Sequence, residues 1–162
     1  MGAAGTGQLT GRSAGRLPGE AAWHAGPVTF DPAGLTDSVM DFLRERHLAT
    51  LTTLRADGSP HVIAVGFTFD QAAGLVRVIT SDGSVKVRNA ERIAPGGNAN
   101  RAAVCQVDGR RWLTLEGAAG VSRVGDDVAD AERRYGLRYR TPRVNPRRVV
   151  LTITVDRMLG HA

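Results

Sequence analysis

The chain has 162 residues and an apolar fraction of 42%, enough for one buried core and too short for two full-sized domains. No run of about 18 apolar residues occurs, which argues against a membrane-spanning helix, and a single cysteine, Cys105, excludes an internal disulfide and a cysteine-built zinc site. The net charge of +5, almost all of its positive part arginine, suits an anionic partner: nucleic acid, an acidic small molecule or an anionic cofactor.

Residues 1–34 read as a disordered, glycine-rich tail. Eight of the twenty glycines lie there, and no periodicity persists. The tail has no compact apolar block after a basic start, so no secretory signal is expected and a reducing, cytoplasmic setting is. Arg12 and Arg16 balance Glu20 and Asp31, which leaves the positive excess to residues 35–162, read as one domain. Trp23 and Phe30 could dock the tail's end on that domain.

The domain opens with a short helix. Thr36, Asp37 or Ser38 can cap it, and Leu35, Val39, Phe42 and Leu43 share a face. His47 to Leu54 reads as a strand and ends at Asp57-Gly58, a hairpin signal. His61 to Phe69 is apolar on both faces and predicts a central strand, with Gly66 marking a bulge or a close approach. After a turn at Asp70 to Gly74, the strand from Leu75 alternates: Leu75, Arg77 and Ile79 to one side, Val76, Val78 and Thr80 to the other.

That strand breaks at Ser81-Asp82-Gly83-Ser84, immediately before Lys86, the only lysine of the chain. An arginine fork on a strand, a small-residue turn with free N–H groups and a lysine point charge can together hold a phosphate. The alternative is a hairpin strand with solvated charges. A short helix over Val85 to Ile93 and a loop over Ala94 to Asn100 follow. Ala102 to Val107 and Arg111 to Glu116 are strands, extended by Gly117 to Val124. Asp126 to Tyr139 reads as a helix with acids leading and arginines trailing, and Arg148 to Val155 as a final strand. Six or seven short strands in a meander favour a small closed or half-closed barrel over an open sheet.

No nucleophile elbow, phosphate-binding Gly-Lys loop or paired zinc histidines occur, and His24, His47, His61 and His161 are scattered. An enzyme built on this chain would borrow its hard chemistry from a cofactor. Gln106 could hydrogen-bond a ring carbonyl and Trp112 could cover a flat ligand, or else pack in a core or an interface. Arg138, Arg140, Arg143, Arg147 and Arg148 crowd a proline-containing bend. With no recognition-helix motif and few aromatics, a nucleic-acid binder is disfavoured.

The segments HLATLTTLRADGSPHVIAVGFTFD, LVRVITSDGSVKVRNAER, CQVDGRRWLTLEG and RYRTPRVNPRRVVLTITVDRMLG, in that order, resemble the split β-barrel flavin/deazaflavin oxidoreductases of the pyridoxamine 5'-phosphate oxidase superfamily. Within it the likeness is to the B-type reductases that use coenzyme F420, the biliverdin-reducing ones among them. It spans Leu35 to Gly160. The resemblance implies a mainly β, six-stranded antiparallel split barrel, dimeric, with cofactor sites at the subunit interface. It implies a cofactor phosphate held by Arg77 and Lys86, with Ser84 helping and Asn89 nearby. The ring would lie against backbone of His61, Val62 and Ile63, then Ala64, Val65 and Gly66, and on the next strand Val78, Ile79 and Thr80. Gln106 and Trp112 would reach it from the partner subunit, and Arg143 and Arg147 are candidate substrate contacts. The implied reaction is hydride transfer from reduced F420 to a conjugated acceptor, biliverdin to bilirubin. The alternatives are an FMN-dependent oxidoreductase on the same barrel and a non-enzymatic flavin, deazaflavin or tetrapyrrole binder. No residue is assigned as catalytic and no metal is expected. The link from Ile93 to Arg101 is longer than is usual in the family, and its extra residues would swell a loop near the site.

Overall fold

A computed structural model describes residues 28–31, 34–94 and 96–162. Trp23 and the rest of residues 1–27 lie outside them. In chain order the elements are β1 (Val28–Phe30), α1 (Asp37–Arg44), β2 (Ala49–Leu54), β3 (Pro60–Val65), β4 (Thr68–Asp70), β5 (Leu75–Ser81), α2 (Val85–Ala90), β6 (Arg101–Asp108), β7 (Arg111–Ser122), α3 (Gly125–Arg138) and β8 (Arg148–His161). The strands form one antiparallel sheet in the order β3-β2-β6-β7-β8-β5-β4, with β1 added on β8. The expected six strands are thus eight. One extra is β1, inside the segment read as tail; Val28 pairs with Gly160 and Phe30 with Met158. The other comes from the break of His61–Phe69 into two strands.

That break corrects the reading of a central strand. β3 and β4 are the two ends of the sheet path, joined in sequence by Gly66-Phe67 and unpaired with each other. An apolar run has no way to declare its neighbours: here Val62, on β3, is 55% exposed. Gly66 does mark a close approach. A Cβ there would come 2.8 Å from the Tyr135 ring and 3.2 Å from that of Tyr139. The two tyrosines stack with centroids 4.8 Å apart and cap the break.

The hairpin at Asp57-Gly58 forms as its chemistry requires. Gly58 has φ +81°, and the Asp57 carboxylate accepts from both the Ser59 N–H (2.9 Å) and its hydroxyl (2.6 Å). β5 keeps its alternation, with Val76, Val78 and Thr80 buried. β7 and β8 are the longest strands and form the spine. They shift register at Glu116/Gly117, where a Cβ on Gly117 would lie 1.8 Å from the Thr154 carbonyl oxygen, so only glycine fits the bulge. The inner face buries Leu51, Val104, Leu113, Leu115, Leu151 and Ile153, and α1 adds Val39, Phe42 and Leu43 to the same core.

α3 is different. Ala131 is its only buried residue, so apolar packing alone does not hold it. Polar contacts attach it instead. Arg77 of β5 reaches Asp70 (3.3 Å) and Asp130 (3.8 Å), Arg134 reaches Asp70 (3.0 Å), and Arg148 meets Glu132 (2.9 Å). At its C-terminus Arg138 inserts between the chain ends of α1 and β3. Its guanidinium donates to the carbonyls of Glu45 (2.9 and 3.1 Å) and Phe67 (2.5 Å) and to Gln106 Oε1 (2.6 Å). It also stacks on the Phe67 ring at 4.4 Å. The Tyr139 hydroxyl donates to the His47 carbonyl (2.8 Å) and accepts from the Phe67 N–H (3.2 Å).

Candidate functional site

A cavity of about 320 Å³ lies where the sheet fails to close, between β3, β5 and α3. β3 contributes Ile63, Ala64 and Val65, followed by Gly66; β5 contributes Val78, Ile79 and Thr80. Tyr135 and Pro142 complete its apolar wall, and its polar lining is Lys86, Arg140, Arg143 and Arg148. Four cations meet there and, among the described residues, no carboxylate lines the cavity. Arg148 is anchored by Glu132, whereas the side chains of Lys86, Arg140 and Arg143 have no acidic partner among the described residues.

Lys86 sits in the first turn of α2, directly after the Asp82-Gly83 turn. Three arginines hold that turn rigid: Arg123 pairs with the Asp82 carboxylate at 2.7 Å, Arg147 donates to the Asp82 carbonyl at 3.1 Å, and Arg88 donates to the Gly83 carbonyl. Burial pushes the Lys86 ammonium below the usual lysine pKa, with no anion to offset it. A desolvated cation without a counter-ion, facing a cavity, calls for an anionic ligand. Ser84 Oγ, in the same turn, is buried with no hydrogen-bond partner.

The residues expected from sequence divide cleanly. Ile63 to Gly66, Val78 to Thr80, Lys86 and Arg143 come together at the cavity. Arg77 does not: its fork is engaged by Asp70 and Asp130, and both Arg77 and Asp70 are about one-sixth exposed (16% and 17%). Gln106 does not reach outward either. It is 0% exposed, its amide donating to the Phe42 carbonyl (2.6 Å) and accepting from Arg138, so its hydrogen bonds are consumed inside its own chain. Trp112, half-buried on β7, lines no part of the cavity. Asn89 is buried and donates to Thr53 Oγ1 (3.0 Å), which lies 3.4 Å from His61 Nδ1. His61 is held below the ordinary histidine pKa by burial first and then by the charges of Arg55 and Lys86. His61, Val62 and Ser84 are not part of the cavity lining, and Arg147 serves the turn. The Ala94–Asn100 loop closes on itself, Ala94 N–H to the Asn98 carbonyl at 2.9 Å, and none of its described residues lines the cavity.

Sequence reasoning missed Tyr135, Arg140, Pro142 and Arg148 as cavity residues. The arginine crowd at the bend was their only signal. Elsewhere Glu45, His47 and Asp108 converge within 4.8 Å, a spacing that could hold a metal ion. Arg111 already occupies that centre, forked onto Glu45 at 2.8 Å twice and onto Asp108 at 2.5 Å.

Residues 35–162 match the family model described as pyridoxamine 5'-phosphate oxidase. The chain is 57% identical over 128 residues to an F420H(2)-dependent biliverdin reductase of Mycobacterium tuberculosis (strain CDC 1551 / Oshkosh), covering 79% of this chain and 89% of that protein. Among solved structures, a conserved hypothetical protein of M. tuberculosis superposes with a TM-score of 0.64 at 21% identity, over 79% of this chain and 86% of that one. An F420 reductase superposes with a TM-score of 0.58 at 21% identity, over 76% and 98%. Those two likenesses concern the fold; the family match and the 57% identity go further. With the split sheet, the seam cavity and the family match over 35–162 in agreement, the chain belongs to the pyridoxamine 5'-phosphate oxidase family.

Proposed function

We propose that this chain is an F420-dependent reductase that converts biliverdin to bilirubin. The observation that carries the reading is the seam cavity itself: four cations, no lining carboxylate, and a desolvated Lys86 without a counter-ion. Its 57%-identical relative is named for that cofactor and that acceptor. F420 carries a phosphate and carboxylates beside a flat ring system, and the residues present fit such a group. Lys86 would hold the phosphate, with Arg140 available to a further anionic group. Ile63 to Gly66 of the β3 side and Val78 to Thr80 of β5 line the space open to a ring.

Held there, reduced F420 would supply the hydride for the acceptor's central methine carbon; with a proton also taken up, biliverdin would become bilirubin and the cofactor would be left oxidised. The protein orients and encloses. No imidazole or carboxylate lines the cavity among the described residues; the proton donors in its lining are the Lys86 ammonium and the Tyr135 hydroxyl, beside water. The working unit we infer is a homodimer in a reducing cytoplasm. The unpaired edge of β3 with exposed Val62, beside the cavity, supports a partner subunit there, and the single cysteine suits the compartment. No helix among the described residues is long and apolar enough to cross a membrane.

The test is a titration of F420 beside FMN, followed by turnover of biliverdin with reduced F420. F420 is expected to bind, and Lys86→Ala to weaken it by about 10- to 100-fold, the value of one charge-assisted contact. Tight FMN binding without F420 binding would move the chain to flavin chemistry. Saturable F420 binding without cofactor oxidation would make it a carrier.

A further inference from the structure

A second and larger cavity, about 710 Å³, runs between α3 and the bend from Thr141 to Pro146. It shares Pro142, Arg143 and Arg148 with the seam cavity, so the two are neighbours across one wall. Its sides are apolar and exposed. Leu137 on α3 is 79% exposed and Val144 on the bend is 98% exposed, a helix residue on one flank and a loop residue on the other. Val128 and Pro146 continue the lining.

The cleft is preformed. The bend is pinned by Asn145, whose amide donates to Ser81 Oγ (2.8 Å) and whose carboxamide oxygen accepts from the Arg147 N–H (3.0 Å). Arg148 donates to the Arg143 carbonyl at 2.7 Å. A site held open in this way loses little ordering entropy when it is filled.

The charges around it are also sorted. Arg123 is tied to Asp82 and Glu91, Arg133 to Asp130, and Arg148 to Glu132, the only carboxylate of the lining. Arg143 alone among these has a side chain with no acidic partner among the described residues, and it stands on the wall common to both cavities. An apolar cleft with one free guanidinium suits a flat, conjugated molecule that carries a carboxylate. The shared lining of Pro142, Arg143 and Arg148 makes that molecule border the seam cavity, where the cofactor ring would lie.

We infer that this cleft seats the electron acceptor, its apolar body between Leu137 and Val144 and a carboxylate on Arg143. The inference rests on the reductase reading and adds to it where the acceptor lies and what selects it. Acceptors with an extended apolar surface and a carboxylate are favoured over compact or uncharged ones.

The experiment measures steady-state kinetics with reduced F420 and biliverdin, alongside F420 titration, for Leu137→Glu and Val144→Glu. Both side chains are exposed, so neither change is expected to disturb folding. KM for biliverdin is expected to rise about tenfold or more while the Kd for F420 stays within about twofold. Leu137→Met and Val144→Ile should keep KM near wild type. Biliverdin dimethyl ester, without free carboxylates, should be a poorer acceptor for wild type, and Arg143→Gln should remove the preference for the acid over the ester. Unchanged KM in both glutamate variants, with F420 binding and turnover intact, overturns the cleft assignment and leaves the reductase standing. A change of oligomeric mass in those variants with KM unmoved makes the cleft a subunit contact and overturns it too. Failure of wild type to oxidise reduced F420 with biliverdin overturns both readings.

Discussion

The paired arginines of β5, α3 and β8 and the unpaired cations of the seam cavity carry the same charge and do opposite things. Arg77, Arg138 and Arg148 each end on oxygen atoms of their own chain: Asp70 and Asp130, three carbonyl or amide groups, and Glu132. Lys86, Arg140 and Arg143 end on none that belong to an acid among the described residues. The first set fastens a helix that buries one alanine. The second leaves uncompensated charge at a cavity. A basic composition therefore says little by itself; the presence or absence of an internal partner separates scaffold from site.

Breaking the scaffold side should have the largest effect. Arg138→Ala leaves Gln106 Oε1 without its donor, while the Glu45 carbonyl keeps the His47 N–H and the Phe67 carbonyl keeps the Tyr139 hydroxyl; it is expected to cost about 3 kcal/mol, read as a fall in denaturant midpoint. Arg77→Ala leaves Asp70 with Arg134 as its remaining ion-pair partner. A loss of about 2 kcal/mol is expected, with melting affected more than F420 affinity; the reverse pattern would return Arg77 to the cofactor. Lys86→Met sharpens the contrast from the other side. It removes a desolvated, unpaired charge, so the melting temperature should hold or rise while F420 affinity falls.

The smallest effect belongs to the Glu45 cluster. Hydrogen bonding from Arg111 first, and from His47 second, lowers the Glu45 pKa from the ordinary 4.5 to about 2. A carboxyl held lower in the folded state contributes stability that is complete above about pH 4.5 and is lost as pH falls toward 2. Melting temperature followed over that window should fall for wild type and run flatter for Glu45→Gln. Parallel curves would show that the cluster is energetically silent.

Local features were readable from sequence because their causes are local. The Asp57-Gly58 hairpin, the alternation of β5 and the acid-to-base polarity of α3 each rest on residues a few positions apart. Lys86, which lines the cavity, stood out for a related reason: a sole lysine after a small-residue turn is visible in one dimension. The ion pair of Arg77 with Asp130 was not legible because that partner lies far along the chain on another element. The burial of Gln106 was not legible because an amide on a strand looks the same whether it faces a ligand or a buried arginine. β3 was taken as central because an apolar strand bordering a seam has the same pattern as one flanked on both sides. Tyr135 and Arg140 enter the cavity only because Gly66 lets the stacked tyrosines close onto the break, which is a matter of tertiary packing.

The single lysine has a consequence for chemistry in solution. Apart from the chain's amino terminus, Lys86 Nζ is the only primary amine in the sequence. Its ammonium gives up a proton more readily than an ordinary lysine's, so a larger share is nucleophilic at mildly alkaline pH. An acylating reagent would thus place one internal tag on the chain, at the cavity, and any anion that occupies the cavity would shield that tag's attachment point. Mass spectrometry of the acylated protein would then count site occupancy for any candidate ligand, with no need for the ligand to turn over.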